Sequence, residues 1–415
     1  MAFAPLDLVP KRPPLARTFH ALRYRDYRLY WSALLVSYLG VAFQTVAQGW
    51  LVYRLTGSAF KLGLVGFTAA VISAPASIVG GIIADRVPRQ KLVAITQTLM
   101  IFPPLGLAYL VWREQVQVWH VVVASIALGA IAQVDLPART SLLPQLVEAG
   151  DFTNAQGLSS ATYQASRMIG PALAGLVIAH YGEAFCFFIN GVSYAAMALA
   201  FLFIRPRPVE ATEKRKGARS GLLAGFRYIL QTRALIGLLA MLTLQGMFLT
   251  PYITVLPMFA NNILRVGPVG FGWLNAFAGA GALLGALLVA NIEPGRRGLV
   301  IIAGGVLTPL ALAAFAWSPW YALSLPMLLL AGVGIVLINT VAITLSLSII
   351  PDDVRGRVAS LGILLYFGSP QIGGVLLGFA ADQWSAPLAL GLSAGLFLLG
   401  LAVVSVVLPE MRRLE

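Results

Sequence analysis

A chain of 415 residues that is 59% hydrophobic and only 11% charged is far from a soluble domain, in which about a quarter of residues are charged. The net charge of +13 is spread over short loops and flanks rather than one soluble face, which argues against nucleic acid as a partner. A lone Cys186 excludes an internal disulfide or cysteine metal cluster, and His20, His120 and His180 have no metal-ligand spacing, so neither a metal nor a cofactor is expected.

Apolar runs divided by turns or charges predict twelve spans, each close to the roughly 20 residues that cross a bilayer as a helix. In the first half they cover about 27–53, 62–84, 92–112, 117–138, 159–181 and 184–204; in the second, about 235–259, 268–290, 298–317, 321–347, 358–380 and 386–408. The fold class is therefore an all-α polytopic membrane protein, because hydrocarbon offers no water to an unpaired peptide group. Residues 1–26 are basic but lack the apolar core of a signal peptide, so the first span is expected to be retained and to direct insertion.

Placing the N-terminus in the cytoplasm puts 24 Lys and Arg on the inner face and leaves Arg54, Lys61, Arg113 and Arg265 outside. This asymmetry predicts cytoplasmic termini in a plasma (bacterial inner) membrane. One long polar interruption, about 205–234, contains Pro206, Pro208 and Glu213-Lys214-Arg215-Lys216, then Phe226, Arg227, Tyr228, Ile229 and Leu230. It reads as a linker followed by a helix lying on the inner surface. The expected organisation is 1–204 as one six-helix half, 205–234 as linker, and 235–415 as the other half.

The halves resemble repeats. Gly40 to Asp85 and Gly246 to Asn291 both span 45 positions; Ser141-Leu142-Leu143-Pro144 recurs as Ser348-Ile349-Ile350-Pro351, and Gly170-Pro171 as Ser369-Pro370. Two similar halves imply a site between them near the midplane, reached alternately from each side.

Between the second and third spans stands Gly81-x3-Asp85-Arg86-x2-Arg89-x-Lys91. With twelve spans, a central linker and inward charge, this loop resembles the signature of the major facilitator superfamily. Gly49-Trp50-Leu51-Val52-Tyr53, Leu55-Thr56-Gly57-Ser58, Pro137-Ala138-Arg139 and Pro351-Asp352-Asp353-Val354-Arg355-Gly356-Arg357-Val358 look like its enterobactin-exporter and multidrug-efflux branch. The resemblance implies that Asp85, supported by Gly81, Arg86 and Arg89, latches the inner gate against Arg139 and the start of the eleventh helix near Gly356. Simple topology determinants are the plainer reading of the bases. The second-half counterpart carries Asn291 in place of Asp85, so the latch is expected to be one-sided.

Ser166-x3-Gly170-Pro171-x2-Ala174-Gly175 resembles the family's antiporter motif; tight packing with a kink is the alternative. Arg167, inside the fifth span, needs a partner or a wet cavity. It either pairs with Asp135 or takes part in substrate or proton binding. Gln44, Gln48, Tyr163, Gln245, Tyr252, Asn275, Asn339 and Tyr366 are expected to line the cavity, with interhelical bonding the alternative for each.

No nucleophile–base set or phosphate loop stands in the chain, so an enzyme is not expected. The function predicted is a monomeric secondary transporter exporting amphipathic small molecules such as siderophores or drugs, with protons as the candidate coupling ion. The alternatives are a facilitator-fold importer of a metabolite or lipid, and a membrane protein that signals or assembles without transporting.

Overall fold

Long apolar runs become helices here because only a closed backbone survives in hydrocarbon, and the computed structural model is all-helical over the residues it describes: 19–76, 80, 83, 87–207, 222–291, 297–351 and 354–407. In chain order the helices are α1 (Arg25–Thr56), α2 (Ala59–Ser73), α3 (Arg89–Trp112), α4 (Val118–Leu146), α5 (Phe152–Tyr181), α6 (Glu183–Phe203), α7 (Leu222–Gln231), α8 (Arg233–Phe248), α9 (Tyr252–Met258), α10 (Gly267–Ala290), α11 (Arg297–Trp317), α12 (Tyr321–Ile349), α13 (Arg355–Gln383) and α14 (Ala386–Val407). Ten segments are long and apolar enough to cross a membrane, α8 and α9 counting as one. The remaining two expected spans are α2, a shorter apolar helix over its described residues, and α5.

The fifth span is the polar one for a reason visible in its sequence. Ser159, Ser160, Thr162, Gln164, Ser166 and Arg167 fall within seven or eight residues of one another on α5, and they would not be stable facing lipid.

Two sequence expectations need correction. Helices α4 and α5 extend to Leu146 and back to Phe152, well beyond the expected 138 and 159, because hydropathy marks the thickness of hydrocarbon and a helix continues into the polar interface. The seventh span is not one continuous helix. Pro251 has no N–H to offer the preceding turn, α8 stops at Phe248 with Leu249 and Thr250 both donating to the Gln245 carbonyl at 2.9 and 3.0 Å, and the chain resumes as α9 and a π-helical turn, Phe259–Ile263.

The packing repeats itself. In the first six helices α1 packs on α5 and α6, α3 on α4 and α6, and α2 on α4. Among the last six, α8 packs on α13 and α14, α11 on α12 and α14, and α10 on α12, which is the same pattern displaced by six spans. Contact between the two sets runs mainly through α2 with α13 and α5 with α10, and these two pairs exchange under the same displacement. This is a pseudo-twofold arrangement.

At the face rich in Lys and Arg, a 3-10 turn, His20–Arg23, ties the start of α1 to the connection between α4 and α5. Arg23 bonds Asp151 at 2.8 Å, Tyr24 donates to the same carboxylate at 2.7 Å, and Arg207 lies 3.7 Å from Glu148. The Tyr24 hydroxyl, followed by His20, holds the Asp151 carboxyl below the ordinary carboxylate range. The amphipathic α7 lies at this face too, with Phe226 and Leu230 exposed while Ile229 is buried and Tyr228 donates to the Ile349 carbonyl at 3.3 Å.

Glycines set the closest approaches in the second set. A Cβ at Gly281 would strike the Leu329 carbonyl of α12, and one at Gly332 the Ala278 carbonyl of α10, so backbone would have to move. Gly332→Leu is expected to destabilise the protein by at least the ~1–3 kcal/mol typical of overpacking, read as a lower melting temperature in detergent; an unchanged melting curve would contradict this packing.

Candidate functional site

Between the two sets of helices lies a cavity with a volume of about 740 Å³. Its walls come from α1 (Tyr38, Thr45), α5 (Tyr163, Arg167, Pro171), α9 (Tyr252, Ile253), α10 (Asn275, Ala286), α12 (Asn339, Ile343) and α13 (Tyr366, Gln371). A smaller cavity of about 400 Å³, lined by Gln44, Gln48, Gly63, Asn190, Phe271 and Gly374, shares Val41, Thr45, Val46, Ile253, Asn275, Pro370 and Gln371 with it. The two are successive compartments of one path between the halves.

One end of that path is shut. At the face opposite the basic one, Asp382 at the end of α13 accepts from Ala59 N at 2.8 Å, from Phe60 N at 3.1 Å and from the Ser58 hydroxyl. A carboxylate from one half therefore caps the N-terminus of α2 in the other, satisfying amides that a helix start leaves open. Asn262 donates to the Tyr53 hydroxyl at 2.7 Å, and the Trp50 and Phe271 rings meet at 5.7 Å. Below these bonds the backbones touch. A Cβ at Gly63 would lie 2.5 Å from the Gly374 carbonyl, one at Gly272 2.5 Å from the Pro171 carbonyl, and one at Gly175 2.6 Å from the Pro268 carbonyl. Among the described residues, every hydrogen bond between the first and last six helices lies at this closed face.

The predicted residues separate into groups. Tyr163, Arg167, Tyr252, Asn275, Asn339 and Tyr366 line the larger cavity, and Gln44 and Gln48 the smaller one, where Asn190 donates to Gln44. Gln245 lines neither; it is fully buried and donates to the Ile335 carbonyl of α12 at 3.1 Å, so it joins helices. Gly170 packs on Ala42 of α1 and Gly175 on α10, while Pro171 lines the cavity and α5 stays helical through it. Pro171 and Gly175 of the antiporter-like motif thus form the α5 side of the seam between halves, while Gly170 packs within the first half.

Asp135 does not pair with Arg167. It is 2% exposed, accepts from Thr96 at 2.7 Å and lies 3.5 Å from Arg139, one turn further along α4. The i,i+4 geometry brings that pair together at no cost in tertiary fit, whereas Arg167 points into the cavity with its guanidinium 5.8 Å from the Tyr163 ring. Of the residues expected to gate, Gly81, Asp85 and Arg86 lie outside the described residues. Arg89 donates to the Ser141 carbonyl of α4 at 3.2 Å. Gly356 is exposed, with open space where a Cβ would stand. The sequence reading missed Gln371, which lines both compartments, and Asp382. Gln371 follows Pro370, the repeat partner of Pro171, and that correspondence was the available signal. Asp382 gave none, since two of its three partners are backbone amides and the third is a lone serine hydroxyl.

A pair in contact should be coupled and a distant one additive. In melting experiments Asp135→Asn and Arg139→Gln are expected to be non-additive by about 0.5–3 kcal/mol, and Asp135→Asn with Arg167→Gln additive; the reverse ranking would overturn the pairing.

Comparison with known proteins agrees with this architecture. The chain is 27% identical over 407 residues to the multidrug efflux pump Tap of Mycolicibacterium fortuitum, covering 92% of this chain and 95% of that protein. It is 24% identical over 389 residues to the enterobactin exporter EntS of Shigella boydii, covering 93% and 92%. A crystal structure of a bacterial homolog of the human lysosomal transporter Spinster, inward-facing and unoccupied, superposes with a TM-score of 0.74 at 13% identity, covering 97% of this chain and 99% of that one. A bacterial homologue of the iron transporter ferroportin, also inward-facing, gives 0.67 at 16% identity, covering 94% and 98%. The family model described as transmembrane secretion effector matches residues 16–415, so the chain belongs to that family of major facilitator transporters and is not an enzyme.

Proposed function

We propose that the chain exports amphipathic small molecules by alternating access, and that the conformation described is the inward-facing one. The observation that carries this reading is the closure of the path at the face opposite the basic one, where hydrogen bonds and close backbone contacts join the two halves. The excess of Lys and Arg supports a cytoplasmic basic face, and in that orientation the larger cavity faces the side from which an exporter loads. Efflux is the activity printed in the names of the Tap and EntS relatives, and apolar and aromatic walls with a few amides suit an amphipathic solute.

In this mechanism the halves rock about the cavity. The Asp382 cap and the Tyr53–Asn262 bond close the outer side while cargo enters, then break as the inner side closes. The loop from Gly81 to Lys91, with Asp85 and Arg86, replaces them by locking the inner side of the outward-facing state. Protons are the coupling ion proposed, with the monomer as the working unit.

Flux tests the function. In proteoliposomes, a panel of amphipathic compounds is expected to include some that move toward the compartment facing the outer side, faster with an inward proton gradient. Net movement only the other way would mark an importer, and no movement of any compound would rule out transport of this class. The outer cap has its own test. Asp382→Asn keeps the shape but loses the charge that strengthens hydrogen bonds to amide donors. With ~1.5 kcal/mol removed, the outward-facing population should rise roughly tenfold. Spin labels at Arg113 and Trp320, on opposite halves at the outer face, would report this as a larger long-distance population; an unaltered distance distribution would refute the cap as a gate.

A further inference from the structure

We infer that the cargo carries an anionic group and that Arg167 is the residue that binds it; this rests on the reading of the cavity as the cargo site. No acidic residue lines either compartment, and Arg167 is the one charged side chain on the walls of the larger one, among the described residues. Asp135, the acid on the neighbouring helix that could have neutralised it, is taken by Thr96 and Arg139. Of the other described acids, Glu148, Asp151, Glu183 and Asp382 stand at the two faces in bonds of their own, and none lines either compartment.

A guanidinium has five donors and no acceptor, and it does not lose its proton. Holding it uncompensated at membrane depth is costly, and a bound anion removes that cost through charge-assisted bonds that a neutral or cationic solute cannot make. Its surroundings favour the same chemistry. Ser166, beside it in the chain, is 2% exposed and lines the cavity, yet its hydroxyl has no hydrogen-bond partner among the described residues. Tyr163 lies against the guanidinium and meets Tyr38 edge-on at 5.2 Å, while Tyr252 and Tyr366 form further wall. Donors and a fixed cation surrounded by aromatic rings describe a site for an aromatic or apolar body bearing a carboxylate or a similar anion. A pump for lipophilic cations would need the opposite sign here.

The position is also built. A Cβ at Gly279 would lie 2.5 Å from the Arg167 carbonyl, so α10 supports the backbone of α5 at this residue and fixes the depth of its side chain.

The test uses the full chain in lipid nanodiscs and naphthalene and biphenyl probes, each as a carboxylate, a primary amide and a trimethylammonium, with binding measured by titration calorimetry. The carboxylate of each set is expected to bind roughly 10- to 100-fold more tightly than its amide, the range for a hydrogen bond to a charged group, and the ammonium more weakly than either. Arg167→Gln should abolish the preference, bringing the carboxylate and the amide of each set to similar affinity, and Arg167→Lys should retain part of it. A tightest amide or ammonium, an undiminished preference in Arg167→Gln, or no carboxylate that binds would overturn the inference. The ranking within the unmodified protein decides the matter even if a variant fails to fold. Proteoliposome flux of uncharged or cationic compounds without carboxylate preference would leave the export reading standing while removing this one.

Discussion

Hydrocarbon allows a charge to be paired, to sit at an interface or to face a wet cavity, and little else. The described charges of this protein divide along those lines. Arg54 and Glu183 pair across α1 and α6 at 2.7 Å near the face opposite the basic one. Arg139 and Asp135 pair along α4. Asp382 is absorbed by the amides at the start of α2. Arg167 alone, among the described residues, is placed in a span without an acid, and it faces the cavity. The location of the site follows from this constraint more directly than from any motif, because a polar fifth helix is stable only where it does not meet lipid.

The seam between the halves obeys a different economy. Where α5 meets α10 and α2 meets α13, glycines bring backbone to backbone, and the few hydrogen bonds collect at one end. Close packing of small residues gives dispersion contact over a large area without bonds that fix a single register. A membrane offers no hydrophobic force to hold two bundles together, so a small number of polar contacts at the ends decides which face stays closed. Weakening the three hydrogen bonds that the Asp382 carboxylate accepts would therefore act on the balance between states rather than on the integrity of either half.

Most of the fold was legible because hydropathy, punctuation and charge asymmetry report on the solvent, and the solvent dictates helices. The errors have local causes. The break at Pro251 was written in the sequence as a missing donor, but an apolar run across it concealed the interruption. The extra turns of α4 and α5 lie in the interface, where hydropathy is silent. The site was legible in part. Polar side chains inside spans are rare enough to be counted, and eight of them reached the cavity walls; which of them turn inward depends on helix rotation, and Gln245 turned toward α12. Pairing with Asp135 was one of two readings open for Arg167, since both lie in one half, and Arg139 one turn along α4 is the base that Asp135 meets. Asp382 left no trace because its cap is made mainly to main-chain amides.

Helix α5 joins the two constraints. Gly170, Pro171 and Gly175 form its packing edge against α1 and α10, while Tyr163, Ser166 and Arg167 form its cavity edge, and the two edges belong to a single rigid helix. The contact of Gly279 with the Arg167 carbonyl lies on both. Any shift of α5 along α10 that opens the outer side must carry the guanidinium with it, changing its depth and its distance from Tyr252 and Tyr366 on the other half. A ligand bound to Arg167 and to the second half at once has a different affinity in the two states, and that difference is what allows a ligand to move an equilibrium. The residue that selects the cargo would then also be the one through which the cargo reports its presence to the seam.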